Sequence, residues 1–128
     1  MYGSNAYNVY KNNSVNFASK EQLLLMLLDG SVKFAKLAKQ AVEDKDIKQA
    51  HENLIKTQNI YYELMCTLDV TKGEEWAHDL MSVYSFIADK LVEANLKKSV
   101  EIINEIMPLI EQVRDTWNEA YRISKGVR

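Results

Sequence analysis

From Ser19 onward, apolar residues recur at three- and four-residue intervals, the spacing that gathers them on one face of an α-helix. Four such segments follow one another. The pattern predicts helices over about 20–43, 47–68, 75–96 and from a cap at Ser99 to about 124. In the first, the wheel gives a broad core arc of Leu23, Leu24, Leu27, Leu28, Phe34, Ala35, Leu37, Ala38, Ala41 and Val42. The second carries a stripe through Ile47, Ala50, Leu54, Tyr61, Leu64, Met65 and Leu68. The third places Trp76, Leu80, Val83, Tyr84, Ile87 and Leu91 together, and the fourth places Ile102, Ile103, Ile106, Leu109, Ile110, Val113, Trp117 and Tyr121 together. One stretch is too apolar for a single face: Leu23 to Leu28, LLLMLL, surrounds most of the helix.

Polar punctuation sits between these segments. Ser19 and Gln22 form an S-x-x-Q capping box, Asp46 and Gln49 repeat it more weakly, and Asp69 to Glu74 reads as a turn with Gly73 available for it. Helices of similar length joined by short connections predict an all-α fold, an antiparallel up-down-up-down four-helix bundle. At about 1.5 Å per residue each helix spans roughly 30–35 Å. Pro108 falls inside the fourth helix, on the face away from its stripe, where a bend is tolerated. The first 18 residues break the pattern. They are Asn-rich, yet carry Tyr2, Tyr7, Tyr10 and Phe17, and read as an irregular N-terminal arm whose rings dock on the bundle. The domain reading is an arm over 1–18 and one bundle over 19–128.

Composition narrows the function classes. A formal charge of −2, with Lys and Arg spread along the chain, argues against a nucleic-acid binder. There is no apolar run long enough to insert in a membrane and no apolar signal core in MYGSNAYNVYKNN, so the expected setting is cytoplasmic. The lone Cys66, beside Met65, fits a reducing compartment and reads as a packing residue.

Catalytic signals are thin, and neither an enzyme nor a cofactor is expected. Glu75-Trp76-Ala77-His78 is an E-x-x-H, the pattern that ligates di-iron in bundles, but those sites need a second copy, and His51 has Lys48 three residues before it. Ser31 and Thr57 lie within or beside apolar stripes and read as small packing residues. No metal site is expected.

The informative residues are apolar ones that miss the stripes. Leu25, Met26 and Val32 flank the arc of the first helix near Asp29, Lys33 and Lys36. Ile55 and Tyr62 share a secondary face of the second, and Phe86 projects from the third between Asp79, Lys90 and Glu93. Apolar residues rimmed by charge mark a partner-binding groove. The candidate binding residues are therefore Leu25, Met26, Asp29, Val32, Lys33, Lys36, Ile55, Tyr62 and Phe86.

Several motifs together resemble one family. Asn5 to Tyr10 (NAYNVY), Ser19 to Leu23 (SKEQL) followed by Met26 to Gly30 (MLLDG), Leu68-Asp69, Lys72-Gly73-Glu74, Tyr84, Ala94-Asn95 and Arg114 to Trp117 (RDTW) resemble, in order, the FliS family of flagellar export chaperones. The chain departs from it with Lys20 for a common Pro, Leu28 for a common aromatic, and Lys72-Gly73 for a common Gly pair. The resemblance implies a four-helix bundle that binds the C-terminal segment of flagellin in the cytoplasm, prevents premature polymerisation and assists delivery to the export apparatus. It also implies an arm that shifts when client binds, for which Tyr7 and Tyr10 are the candidates, and leaves room for other flagellar regulators or export components as partners. Two readings from other classes stay open on the residues alone: a metal-binding or redox bundle, and a self-assembling bundle that buries its outliers in a homodimer.

Overall fold

Three of the four helices begin where a side-chain cap is written. The Ser19 hydroxyl accepts the Gln22 backbone N–H at 3.2 Å while Gln22 Oε1 accepts the Ser19 N–H at 2.9 Å, closing the capping box. Asp46 accepts the Gln49 N–H and Ser99 the Ile102 N–H in the same way, each at 3.2 Å. The resulting elements are α1 (Lys20–Glu43), α2 (Ile47–Thr67), α3 (Glu75–Lys97) and α4 (Val100–Ser124). They come from a computed structural model that describes residues 19–126; the arm with Tyr7 and Tyr10 lies outside the described residues.

Two of the three connections are tight. α1 passes to α2 through three residues, with Lys45 in the left-handed region at φ 60°. α3 passes to α4 through Lys98 and Ser99 alone, and Lys98 is also left-handed, at φ 48°. A lysine pays for that conformation with Cβ crowding. Here its ammonium folds back onto the Asn95 carbonyl at 2.6 Å and carboxamide at 2.7 Å, and the Ser99 N–H reaches the Ala94 carbonyl. The α2–α3 connection is longer, residues 68–74, and uses Gly73 at φ 73° for its turn.

α1 packs against α2 and α4, and α3 packs against the same two helices, so the four close into a ring around one core. Leu28, Leu54, Leu64, Ile87, Leu91, Ile103, Ile106 and Ile110 are fully buried there. Three buried polar side chains are satisfied within their own helix: Ser31 donates to the Leu28 carbonyl at 2.7 Å, Thr57 to the Asn53 carbonyl at 2.8 Å, and Asn53 to the Gln49 carbonyl at 2.9 Å. α4 runs through Pro108, which faces solvent. Among the described residues, no helix is long and apolar enough to cross a membrane.

The four-helix reading holds, with helix bounds within a residue or so of those expected. The phase of α1 does not. Val32, expected outside the core arc, is only 3% exposed and belongs to the core, with Leu25 packed partly against it. Leu37, expected inside, is 45% exposed. The buried arc is centred on small residues, Gly30, Ser31, Ala35 and Ala38, which a count of large apolar side chains undervalues. Weighting those residues turns the wheel toward Val32 and away from Leu37. Three further expectations are overturned. Ile47 is exposed at the first position of α2. Trp76 is 55% exposed, its indole N–H bonded to the Glu74 carboxylate beside it. Cys66 is exposed rather than packed.

Candidate apolar cleft at one end of the bundle

The start of α1 and the end of α2 lie at the same end of the bundle, where the long α2–α3 connection also runs. There the core stripes outrun what neighbouring helices can cover. Leu23, Leu24 and Leu27 from α1, with Leu64 from α2 and Leu68 just beyond it, line a cleft of about 610 Å³. Tyr84 of α3 and Trp117 of α4 also line it. Lys20, Glu21 and Glu63 add charged groups to the lining, and Thr67 a hydroxyl that donates to the Leu64 carbonyl at 3.0 Å.

The polar chemistry of the cleft is concentrated in two places. Glu21 stands in the first turn of α1, where its own backbone N–H and the Ser19 hydroxyl hold its carboxyl below the usual carboxylate range. Away from that turn, Trp117 Nε1–H donates to the Tyr84 hydroxyl at 2.9 Å, tying α4 to α3. Burial raises the Tyr84 phenol, only partly offset by that hydrogen bond, so it is protonated at neutral pH. Behind it, Tyr61 is fully buried. Its hydroxyl faces that of Ser31 without closing a hydrogen bond.

None of the described binding candidates lines this cleft. Leu25 and Met26 are half-buried on the same turns of α1, while Asp29, Lys33 and Lys36 are exposed further along that helix. Beside Lys33, the Phe34 ring meets two cations: the ammonium groups of Lys33 and of Lys56 on α2 stand 5.9 and 5.2 Å from its centroid. Ile55 is half-buried and Tyr62 is 42% exposed on α2, the Tyr62 hydroxyl accepting from Gln58 at 2.9 Å. Phe86, also 42% exposed, lies under Lys90, which bridges to Glu93 and, across to α4, to Glu105. The candidates are thus spread over three helices rather than gathered in one groove. The apolar cleft residues escaped the sequence reading because each of them sits on a core stripe. The available signal was the surplus of apolar residues at one end of α1, LLLMLL, opposite the one long connection.

The fold is that of the four-helix bundles, a class in which ligand sites lie between helices. The sequence comparisons give the particular family. The family model described as flagellar protein FliS matches residues 3–124. The chain is 39% identical over 124 residues to the flagellar secretion chaperone FliS of Bacillus subtilis, covering 97% of this chain and 92% of that one. It is 34% identical over 121 residues to the protein of the same name from Campylobacter jejuni, covering 94% of each. The Salmonella typhimurium protein of that name is 31% identical over 124 residues, with 93% and 92% covered. The chain belongs to the FliS family.

Proposed function

We propose that the protein is a cytoplasmic, non-enzymatic export chaperone that binds the C-terminal segment of flagellin, keeps it from premature polymerisation and assists its delivery to the flagellar export apparatus. The observation that carries this reading is the cleft: Leu23, Leu24, Leu68 and Trp117 are only half-buried by the described residues at one end of the bundle, with charges beside them. An amphipathic segment laid into such a groove buries its apolar face and leaves its polar face wet. Ordering a flexible client offsets part of that gain, which favours binding that is specific and still reversible. Leu25, Met26, Ile55, Tyr62 and Phe86 would extend the contact along the flanks, and Tyr7 and Tyr10 would reach it from the arm.

Titration of the full chain with a flagellin C-terminal segment tests the proposal. The expected result is one-to-one binding with a negative heat-capacity change and a gain in helicity of the segment. Leu24→Asp and Leu68→Asp, each placing a charge in the cleft, are expected to weaken binding at least tenfold, about 1.4 kcal/mol, with circular dichroism unchanged. Absence of binding at micromolar concentration would overturn the reading. If Phe86→Asp also weakens binding, the client reaches the α3–α4 flank.

A further inference from the structure

At the end of the bundle with the two tight connections, Lys98, Asn95 and His51 form a relay of hydrogen bonds, and its first donor sets its direction. An ammonium only donates, so the Asn95 side-chain atom 2.7 Å from Lys98 Nζ is the carboxamide oxygen. The NH2 of the same carboxamide is then turned toward α2, with Nδ2 3.0 Å from Nδ1 of His51. That group also only donates. Nδ1 must accept, which places the single ring proton on Nε2 and leaves the imidazole neutral. The Lys98 ammonium is anchored a second time, on the Asn95 backbone carbonyl at 2.6 Å, so the carboxamide cannot turn over without giving up its bond to Lys98.

We infer that His51, Asn95 and Lys98 form a proton-sensitive latch between α2 and the α3–α4 junction, closed while His51 is neutral and released when the ring takes a second proton. Protonation at Nδ1 sets N–H against N–H. The carboxamide oxygen lies 3.3 Å from the same nitrogen, but it already holds the Lys98 ammonium, and an imidazolium on that atom would set two cations side by side. His51 is exposed, so solvent protons reach it, and the charge of an imidazole changes between about pH 5 and 8. The acidic groups at this end are engaged elsewhere. On α2, Glu52 accepts from Gln49 at 3.4 Å; in the α1–α2 connection, Asp44 accepts from Gln40 at 3.0 Å and Asp46 caps α2. On α4, Glu101 accepts from the Ser99 hydroxyl at 3.2 Å. The remaining charges, Lys45, Lys48 and Lys97, are positive, Lys97 being paired with Glu93 at 3.2 Å. No ion pair to the imidazole forms among the described residues, so nothing there compensates an imidazolium.

NMR of the isotope-labelled full chain reads the latch directly. With only two histidines, and His78 near the start of α3 at the other end, the His51 ring is readily assigned. At about pH 8 its nitrogens should report the Nε2–H tautomer, with a through-bond coupling between His51 Nδ1 and Asn95 Nδ2. Both signatures should vanish as the ring protonates toward about pH 5.5. The Ser99 amide, bonded to the Ala94 carbonyl at 3.1 Å, reports the junction. Its hydrogen-exchange protection, corrected for the intrinsic effect of pH, should fall about fivefold over the same range, the size of one hydrogen bond. His51→Gln supplies a carbonyl acceptor that does not titrate, and its Ser99 protection should stay level. An Nδ1–H tautomer or no coupling at the higher pH would overturn the inference. So would Ser99 protection that does not change with pH, or the same fall in His51→Gln.

Discussion

The ring of Tyr61 meets the ring of Tyr84 edge-on, with centroids 5.8 Å apart and planes at 72°, and of the two phenols only Tyr84 has a hydrogen-bond partner. The edge-to-face contact needs the rings alone. Removing the Tyr61 hydroxyl takes an unpaired polar atom out of the core and leaves that contact in place. Tyr61→Phe is therefore expected to leave stability unchanged or raise it by about 1 kcal/mol. Urea unfolding followed by circular dichroism checks this. A loss of more than about 1 kcal/mol would mean that the hydroxyl is bonded in solution.

The same pair sets the alkaline limit of the fold. Desolvation raises the pKa of both Tyr61 and Tyr84 above the ordinary 10.0. Above that pH the unfolded chain releases phenolic protons that the folded chain retains. Stability is then fully present below about pH 10 and falls as the pH rises toward the folded values. In a spectrophotometric titration, two of the seven tyrosines should ionise only together with loss of helix. Seven independent transitions near pH 10 would contradict this.

Leucines of α1 should divide sharply. Leu28 is fully buried, and Leu28→Ala is expected to cost about 2–5 kcal/mol from lost transfer energy and the cavity left behind. Leu37 is exposed, and Leu37→Ala should change stability by about 0.5 kcal/mol or less. Chemical denaturation of the two variants side by side tests the helix phase directly. Comparable losses would restore the arc drawn from the large side chains alone.

The long connection has its own titration. Asp69 accepts the Thr71 hydroxyl at 2.6 Å and the Thr71 N–H at 2.9 Å, and these bonds hold its carboxyl below the ordinary 3.8. Because the folded value is depressed, the stability it lends the turn is present above about pH 4 and lost as the pH falls through the folded value. Carboxyl NMR should show Asp69 titrating below 3.8 and moving upward in Thr71→Val, which keeps the amide bond and removes the hydroxyl.

Helix existence, length and order were legible because caps are local. Ser19 with Gln22, Asp46 with Gln49, and Ser99 each act within three residues, so sequence spacing determines them. Which side of a helix faces the core depends on the neighbouring helices, and so Val32 and Leu37 were exchanged. Ile47 and Trp76 failed for a related reason: a stripe residue in the first turn of a helix can project beyond the partner that would cover it. The cleft was the least legible feature. Leu64 and Tyr84 are core, as their own helices imply, and only the meeting of the helices shows that Leu24 and Trp117 beside them are half-buried around a cleft. In the other direction, Phe86 and Tyr62 do reach the surface as their wheels implied, on separate flanks.

The spacing of the connections makes the bundle mechanically lopsided. Three-residue and two-residue turns clasp one end, while among the described residues the other is bridged by residues 68–74. The clasped end is tied further by His51 against Asn95 and by Lys98 folded onto the same carboxamide. The proposed client would thus meet the bundle at the end that the short turns do not clasp.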